Sequence, residues 1–353
     1  MTSPHFPVRT HTTTRSFTYS YTHIQPSSPS KPYILFLHGF PSSSYDWYPQ
    51  VQQFPRLGYG IIAPDLLGFG GSSKPLSLDS YKLIDMAADL HEILSLHSVS
   101  ATHPAIGVGH DWGSTMLSRL VNYYPGLFSK LVFLDVGYQA PDGPTFNLET
   151  VRGINAQIKE KAGFEIFGYF LMMDEEGSAE LMDANPESVM SLFYSLDPEI
   201  GKKYMGATGG FRKWLEGSMT APYPGFVTYE DVAHFKALFS PENGGFAAAK
   251  NWYTMQLHGI NEADDKAIPP SRTHLSHSTL LITSTNFIST GADFPSLMKP
   301  YIANLKSVQW DCGHWIQLEK SKILNVLLSQ FFEGMDEVSW DGWRKDGIDG
   351  GSE

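Results

Sequence analysis

Asp111 stands in the stretch Gly109-His110-Asp111-Trp112-Gly113, between an apolar run at 105–108 and a helix-like segment at 114–124. A carboxylate at the tip of a strand-to-helix turn can attack an electrophilic carbon and form an ester. Such a turn is strained and crowded, so small residues are needed two before and two after its tip. Gly109 and Gly113 meet that need. The N–H of Trp112, next after the tip, would point into the site. A second N–H, that of Phe40 in His38-Gly39-Phe40-Pro41, would lie beside it, and two such donors make an oxyanion hole. The plainer role for Asp111 is an N-cap of helix 114–124. It stands three residues ahead of Ser114, however, and capping gives no reason for the two glycines.

A nucleophile of this kind needs a base. His314, in Cys312-Gly313-His314-Trp315, follows a strand-like run at 307–310, with a glycine ahead of it for clearance. The chain has thirteen histidines, so His314 is singled out by its place in the order of elements; His110 reads as structural. No His or Cys pairing has metal-ligand spacing. The loop Asp65-Leu66-Leu67-Gly68-Phe69-Gly70-Gly71-Ser72 has no Walker lysine and an incomplete dinucleotide glycine spacing. It reads as a tight loop with Asp65 bonding backbone amides. The chain also has no G-x-S-x-G, which disfavours a serine esterase.

These groups must be carried on a scaffold. Strand-like runs at 15–23, 33–37, 60–63, 105–108, 131–135, 279–283 and 307–310 alternate with helical patterns at 44–54, 80–96, 114–124 and 319–332. The later runs are apolar throughout, the mark of a mostly parallel sheet covered by helices on both faces. From 139 to 267 strand-like runs give way to helical, Met- and aromatic-rich segments. The expected organisation is an α/β core at 1–138, an inserted helical cap at 139–267, the rest of the core at 268–334, and an acidic tail at 335–353.

The chain has 353 residues, enough for one α/β domain with an insertion. A formal net charge of −12 argues against nucleic acid and anionic membrane surfaces as partners. One cysteine, Cys312, excludes an intrachain disulfide. No apolar run is long enough to span a membrane, and the N-terminus has no secretory pattern, so the expected location is cytoplasmic.

HGFP, DLLGFGGS, GHDWG and GHW, in this order, resemble the epoxide hydrolase branch of the α/β-hydrolase fold, over about residues 12–332. Haloalkane dehalogenases are related and typically carry Asn at the position of Phe40, so HGFP tilts the resemblance toward epoxides. The resemblance implies that Asp111 opens the epoxide and becomes esterified, while a cap tyrosine protonates the alkoxide. His314 then activates the water that hydrolyses the ester, and the Phe40 and Trp112 amides hold the oxyanion. It implies an epoxide-type substrate and no cofactor, and a homodimer is compatible with it; the Met- and aromatic-rich segment at 139–267 points to a small apolar substrate. Tyr169, in Phe167-Gly168-Tyr169-Phe170, resembles the first donor. The position aligned to the second holds Phe235, leaving Tyr253 and Tyr229 as further candidates.

The family's acid, which supports the histidine, falls on Asn286. An amide cannot offset an imidazolium. Asp135 at the end of the strand before the cap, Asp293 further along the later loop, or no acid at all are the alternatives. Two other functions remain: a dehalogenase-like hydrolase, and a hydrolase fold reused for cyclisation or isomerisation.

Overall fold

The computed structural model describes residues 6–285 and 292–334. Asn286 and the acidic tail lie outside the described residues. Apolar runs make the centre of an eight-stranded sheet ordered β1-β2-β4-β3-β5-β6-β7-β8. The strands are β1 Val8–Thr12, β2 Thr18–Ile24, β3 Tyr33–Leu37, β4 Gly60–Pro64, β5 Ala105–His110, β6 Phe128–Leu134, β7 Ser278–Ser284 and β8 Leu305–Trp310. Only β1–β2 and β2–β4 pair antiparallel. From β4 to β8 the pairing is parallel.

The central strands are apolar throughout because both faces are covered. Leu35 and Leu37 of β3 enter one core; it also takes in helix α2 (Leu83–Leu96) and helix α3 (Trp112–Tyr123). Ile34 and Phe36 enter the other, with α1 (Tyr48–Gln53) and the closing helix Ser321–Glu333. Full burial of a side chain like Phe36 contributes about 1.5–3 kcal/mol.

Several boundaries differ from the sequence reading by a few residues, two of them with a clear local cause. Strand β2 begins at Thr18 rather than at residue 15, because Thr13–Ser16 form a tight turn, with Ser16 at φ 65. The strand before that turn, β1, is almost fully exposed and so carries no apolar pattern to read. Helix α3 starts at Trp112, two residues earlier than expected. Asp111 therefore does occupy its N-cap position, yet its side chain makes no capping bond.

Between β6 and β7 the described chain is helical. It includes α4 (Leu148–Ala162), α5 (Gly168–Met173), α6 (Ser178–Ala184), α7 (Pro186–Phe193) and the helices Tyr229–Leu238 and Asn251–Leu257. Arg119 of α3 clasps both ends of this segment. Its Nε donates to Asp265 Oδ1 at 2.5 Å and a terminal nitrogen to Oδ2 at 2.7 Å, while the other terminal nitrogen donates to the Gln139 carbonyl at 2.6 Å. Removing one partner of a buried pair costs about 3–5 kcal/mol. The clasp thus ties the helical segment to the helix that starts at Asp111.

Candidate active site

The site lies at the carboxyl ends of β3, β5, β6 and β8. Asp111 follows β5 with φ 53 and ψ −123, a left-handed conformation for a non-glycine residue. Such strain costs about 1–3 kcal/mol and persists only where the surroundings hold it. A Cβ on Gly109 would stand 2.7 Å from the Gly113 carbonyl oxygen, and one on Gly113 would overlap the Leu37 carbonyl. A Cβ on Gly39 would overlap the Asp111 carboxylate itself. All three glycines are therefore needed for strand, elbow and facing loop to meet.

Asp111 Oδ1 accepts a hydrogen bond from the Phe40 N–H at 2.8 Å, and the neighbouring Trp112 N–H also favours the ionised carboxylate. The Phe40 loop is set by His38. Its Nε2 accepts from the Leu66 N–H at 3.0 Å, so Nδ1 carries the proton and donates to the Gly39 carbonyl at 2.9 Å. Burial holds His38 neutral, with its pKa down to about 4. Asp65 behaves as the sequence implied, accepting from the Gly71 and Ser44 amides at 2.9 Å each.

His314 Nε2 faces Asp111 Oδ2 at 3.7 Å. Its Nδ1 donates to Asp135 Oδ2 at 2.5 Å. Asp135 follows β6 with φ 62 and is wholly buried. Its Oδ1 accepts from the Ser284 N–H, at the end of β7, at 2.8 Å. Asp135 thus reaches across the end of β7 to a histidine carried after β8. Asp293 instead caps its own short helix, accepting from the Ser296 N–H at 3.4 Å.

The histidine loop is held at several atoms. The Gly313 N–H donates to Glu319 Oε2 at 2.8 Å, and the Trp315 indole N–H donates to the Phe193 carbonyl at 3.0 Å. Tyr194 stacks on Trp315, ring centroids 4.1 Å apart. Burial disfavours charge on His314, but its bond to Asp135 and the charges of Asp135 and Asp111 outweigh that and raise its pKa. Burial raises the pKa of Asp111, against the pull of the His314 charge and the two amides. Asp111 keeps 17% and His314 23% of its side-chain surface open, the surface a ligand would cover.

Aromatic rings wall the site. Tyr253 meets Trp112 at 5.0 Å, Phe40 at 5.1 Å and Tyr169 at 5.6 Å between centroids. Phe193 meets Phe40 at 5.3 Å and Tyr169 at 5.9 Å. Burial pushes both tyrosine pKa values well up, and the Asp111 charge adds to it. The sequence alignment had put the second tyrosine position at Phe235, yet that residue packs against Phe239 and Tyr194. Tyr253 is the tyrosine beside Tyr169, while Tyr229 is 94% exposed. Phe193 and Tyr194 were not singled out in the sequence. They carry no motif, and only the docking of α7 on the histidine loop brings them to the site.

Residues 32–215 match the model of the α/β hydrolase fold family. The chain is 34% identical to the epoxide hydrolase srdG of Neurospora crassa, over 94% of its own length and 97% of the relative's. The chain belongs to the epoxide hydrolase branch of the α/β-hydrolase fold family. The chain is also similar to other epoxide hydrolases. Epoxide hydrolase A of Mycobacterium tuberculosis is 27% identical over 89% of this chain and 94% of its own. The chain spans about half the length, 52%, of the bifunctional epoxide hydrolase 2 of Sus scrofa, at 26% identity over 86% of this chain. Among solved structures, an epoxide hydrolase from an endophytic Streptomyces superposes with a TM-score of 0.77 at 25% identity, covering 93% of this chain and 96% of that one. Among the described residues no helix is long and apolar enough to cross a membrane.

Proposed function

We propose that this chain hydrolyses epoxides to vicinal diols through an ester on Asp111. The observation that carries the reading is the line Asp111–His314–Asp135, with the Phe40 N–H on the Asp111 carboxylate and two buried tyrosines close by. A carboxylate oxygen of Asp111 attacks a ring carbon, and the carbon–oxygen bond of the epoxide breaks. The alkoxide takes a phenol proton from Tyr169 or Tyr253. Their raised pKa values keep both protonated beforehand. Because the Asp111 charge contributes to that rise, esterification makes them more acidic as the alkoxide forms.

In the second step His314 Nε2 takes a proton from water, and the hydroxide attacks the ester carbon of Asp111. The Phe40 and Trp112 amides stabilise the oxyanion. Collapse expels the diol oxygen, which takes the proton back from the imidazolium, whose charge Asp135 offsets, and the proton left on the Asp111 carboxyl returns to the tyrosinate. The helical segment between β6 and β7 acts as the cap that excludes bulk water. Its rings favour a small apolar epoxide.

Single turnover in ¹⁸O-labelled water tests the reading. The first diol should contain only ¹⁶O, and one ¹⁸O should appear in the Asp111 carboxylate. A diol labelled in the first turnover means direct attack by water and ends the ester mechanism. Halide release from haloalkanes without diol from epoxides would instead mark a dehalogenase-like hydrolase. Phe40 works against that outcome, because its side chain has no amide to hold a halide.

The pH dependence follows from the charges around His314. Its imidazole must be neutral to take a proton, so ester decay falls as pH drops through its pKa. In the free protein that pKa lies above its ordinary value of 6.5, raised by Asp135 and by Asp111. Esterification removes the Asp111 charge and leaves only the contribution of Asp135. The acid limb of ester decay should therefore lie at lower pH than the His314 titration in the free protein. Rapid-quench decay rates and histidine NMR measure the two. A decay limb at the same or higher pH contradicts this account.

A further inference from the structure

His110 precedes the elbow, is wholly buried, and has no part in the chemistry above. Its ring lies 4.4 Å, centroid to centroid, from that of His314. Its Nε2 is 2.9 Å from the His314 carbonyl oxygen. A carbonyl only accepts, so Nε2 carries a proton. A second proton would place an imidazolium in the interior beside His314. Burial first, and then the His314 charge, drive the His110 pKa well below its ordinary value, so the ring stays neutral. Nδ1 is therefore bare and accepts from the Gln317 amide Nε2 at 3.2 Å. Gln317 is itself wholly buried, and its main-chain carbonyl accepts from Gln50 Nε2 at 3.2 Å, which fixes the backbone that carries the amide. The tautomer of His110 is thus set by the His314 carbonyl and matched by the Gln317 amide.

The His314 carbonyl also accepts from the Ile316 N–H at 3.0 Å. The His110 bond takes its other lone pair and links it to the residue next to Asp111. The backbone that carries the imidazole is in this way tied to the elbow that carries the carboxylate.

We infer that His110, its Nε2–H donating to the His314 carbonyl, is a positioning residue that holds the His314 main chain in register with Asp111 for the hydrolytic step. This rests on the ester mechanism proposed above. Ester formation needs Asp111 and the tyrosines and does not use the base. Ester hydrolysis needs the His314 nitrogen within reach of a water that is itself in line with the ester carbon. Loss of the His110 bond should therefore slow the second step and spare the first.

Side-chain amides separate this role from simple packing. The amide nitrogen of Gln falls where His Nε2 lies, and that of Asn where Nδ1 lies. His110→Gln keeps a donor to the His314 carbonyl, whereas His110→Asn does not reach it. The measurement is single-turnover rapid quench with an aryl epoxide, following protein-bound ester by intact mass. For His110→Asn, ester formation should stay within about 3-fold of wild type while ester decay slows by about 10–100-fold, the cost of one buried hydrogen bond. His110→Gln should recover decay to within about 5-fold of wild type. His110→Leu should behave as the Asn variant; if it fails to fold, the Gln and Asn pair still decides. Equal decay rates in those two variants, or equal loss in both steps, overturns the positioning role. Wild-type protein that never forms an ester overturns the mechanism instead.

Discussion

The Asp111→Asn protein will fold and leave epoxides unopened, with kcat lower by on the order of 10⁶, the scale seen when a catalytic nucleophile is removed. An amide oxygen is a weak nucleophile. The substitution is nearly isosteric, and the side-chain oxygen can still accept from the Phe40 N–H, now 2.8 Å from Oδ1. The strained elbow should survive, because its backbone is fixed by Gly109 and Gly113 rather than by the charge. Diol formation measured over hours, with circular dichroism to check the fold, gives the answer. Retention of more than about 1% of kcat would sink the nucleophile role, since a positioned nucleophile is worth far more than that. It would favour a fold reused for cyclisation or isomerisation, which needs no ester.

Replacing Asp135 by Asn will stop the reaction one step later. Ester formation should proceed and ester should accumulate, with kcat lower by about 10⁴, as when the acid of a related triad becomes an amide. The reason lies in the donors around the side chain. The Ser284 N–H points at Oδ1, so an amide at this position keeps its oxygen there and turns its NH₂ toward His314 Nδ1. Two donors cannot face each other, so His314 would lose its Nδ1 proton and carry it on Nε2. That tautomer has no lone pair for the water proton. Intact-mass detection of the ester during steady turnover is the measurement; fast decay in this variant would remove Asp135 from the mechanism. The companion change, Asn286→Asp, should bring no gain. Nδ1 has a single proton, and Asp135 already holds it at 2.5 Å.

Much of the site was legible because its chemistry needs particular residues at close sequence spacing. An elbow requires Gly109, Asp111 and Gly113 within five positions, and no packing argument produces that set by accident. Asp65 in its glycine loop was readable for a similar reason, since a carboxylate that bonds amides of its own loop works at short range. The central strands were legible from continuous apolar runs. Strand β1 was not, because an exposed edge buries nothing and so imposes no pattern.

The choice among acids was of another kind. Asp135 ends the strand run before the helical segment and Asp293 lies in the loop after a later one, and the sequence leaves both open. What separates them is the order β6-β7-β8, which sets Asp135 across one strand from the histidine loop, and the local turn that commits Asp293 to capping its own helix. The second tyrosine was hidden for the same reason. Alignment led to Phe235, whereas the packing of helix Asn251–Leu257 on Trp112 and Phe40 brings Tyr253 beside Tyr169.

The sequence by itself thus determined the fold class, the elbow and its glycines, the HGFP loop beside it and the late histidine. Each of these is enforced by steric or chemical demands within a few residues. Tertiary structure alone decided that Asp135 is the carboxylate bonded to His314, that Tyr253 and not Phe235 stands beside Tyr169, and that Arg119 clasps both ends of the helical segment. Those pairings join residues 20 to 179 positions apart. Strand order and helix docking determine such contacts, and no local pattern in the chain encodes them.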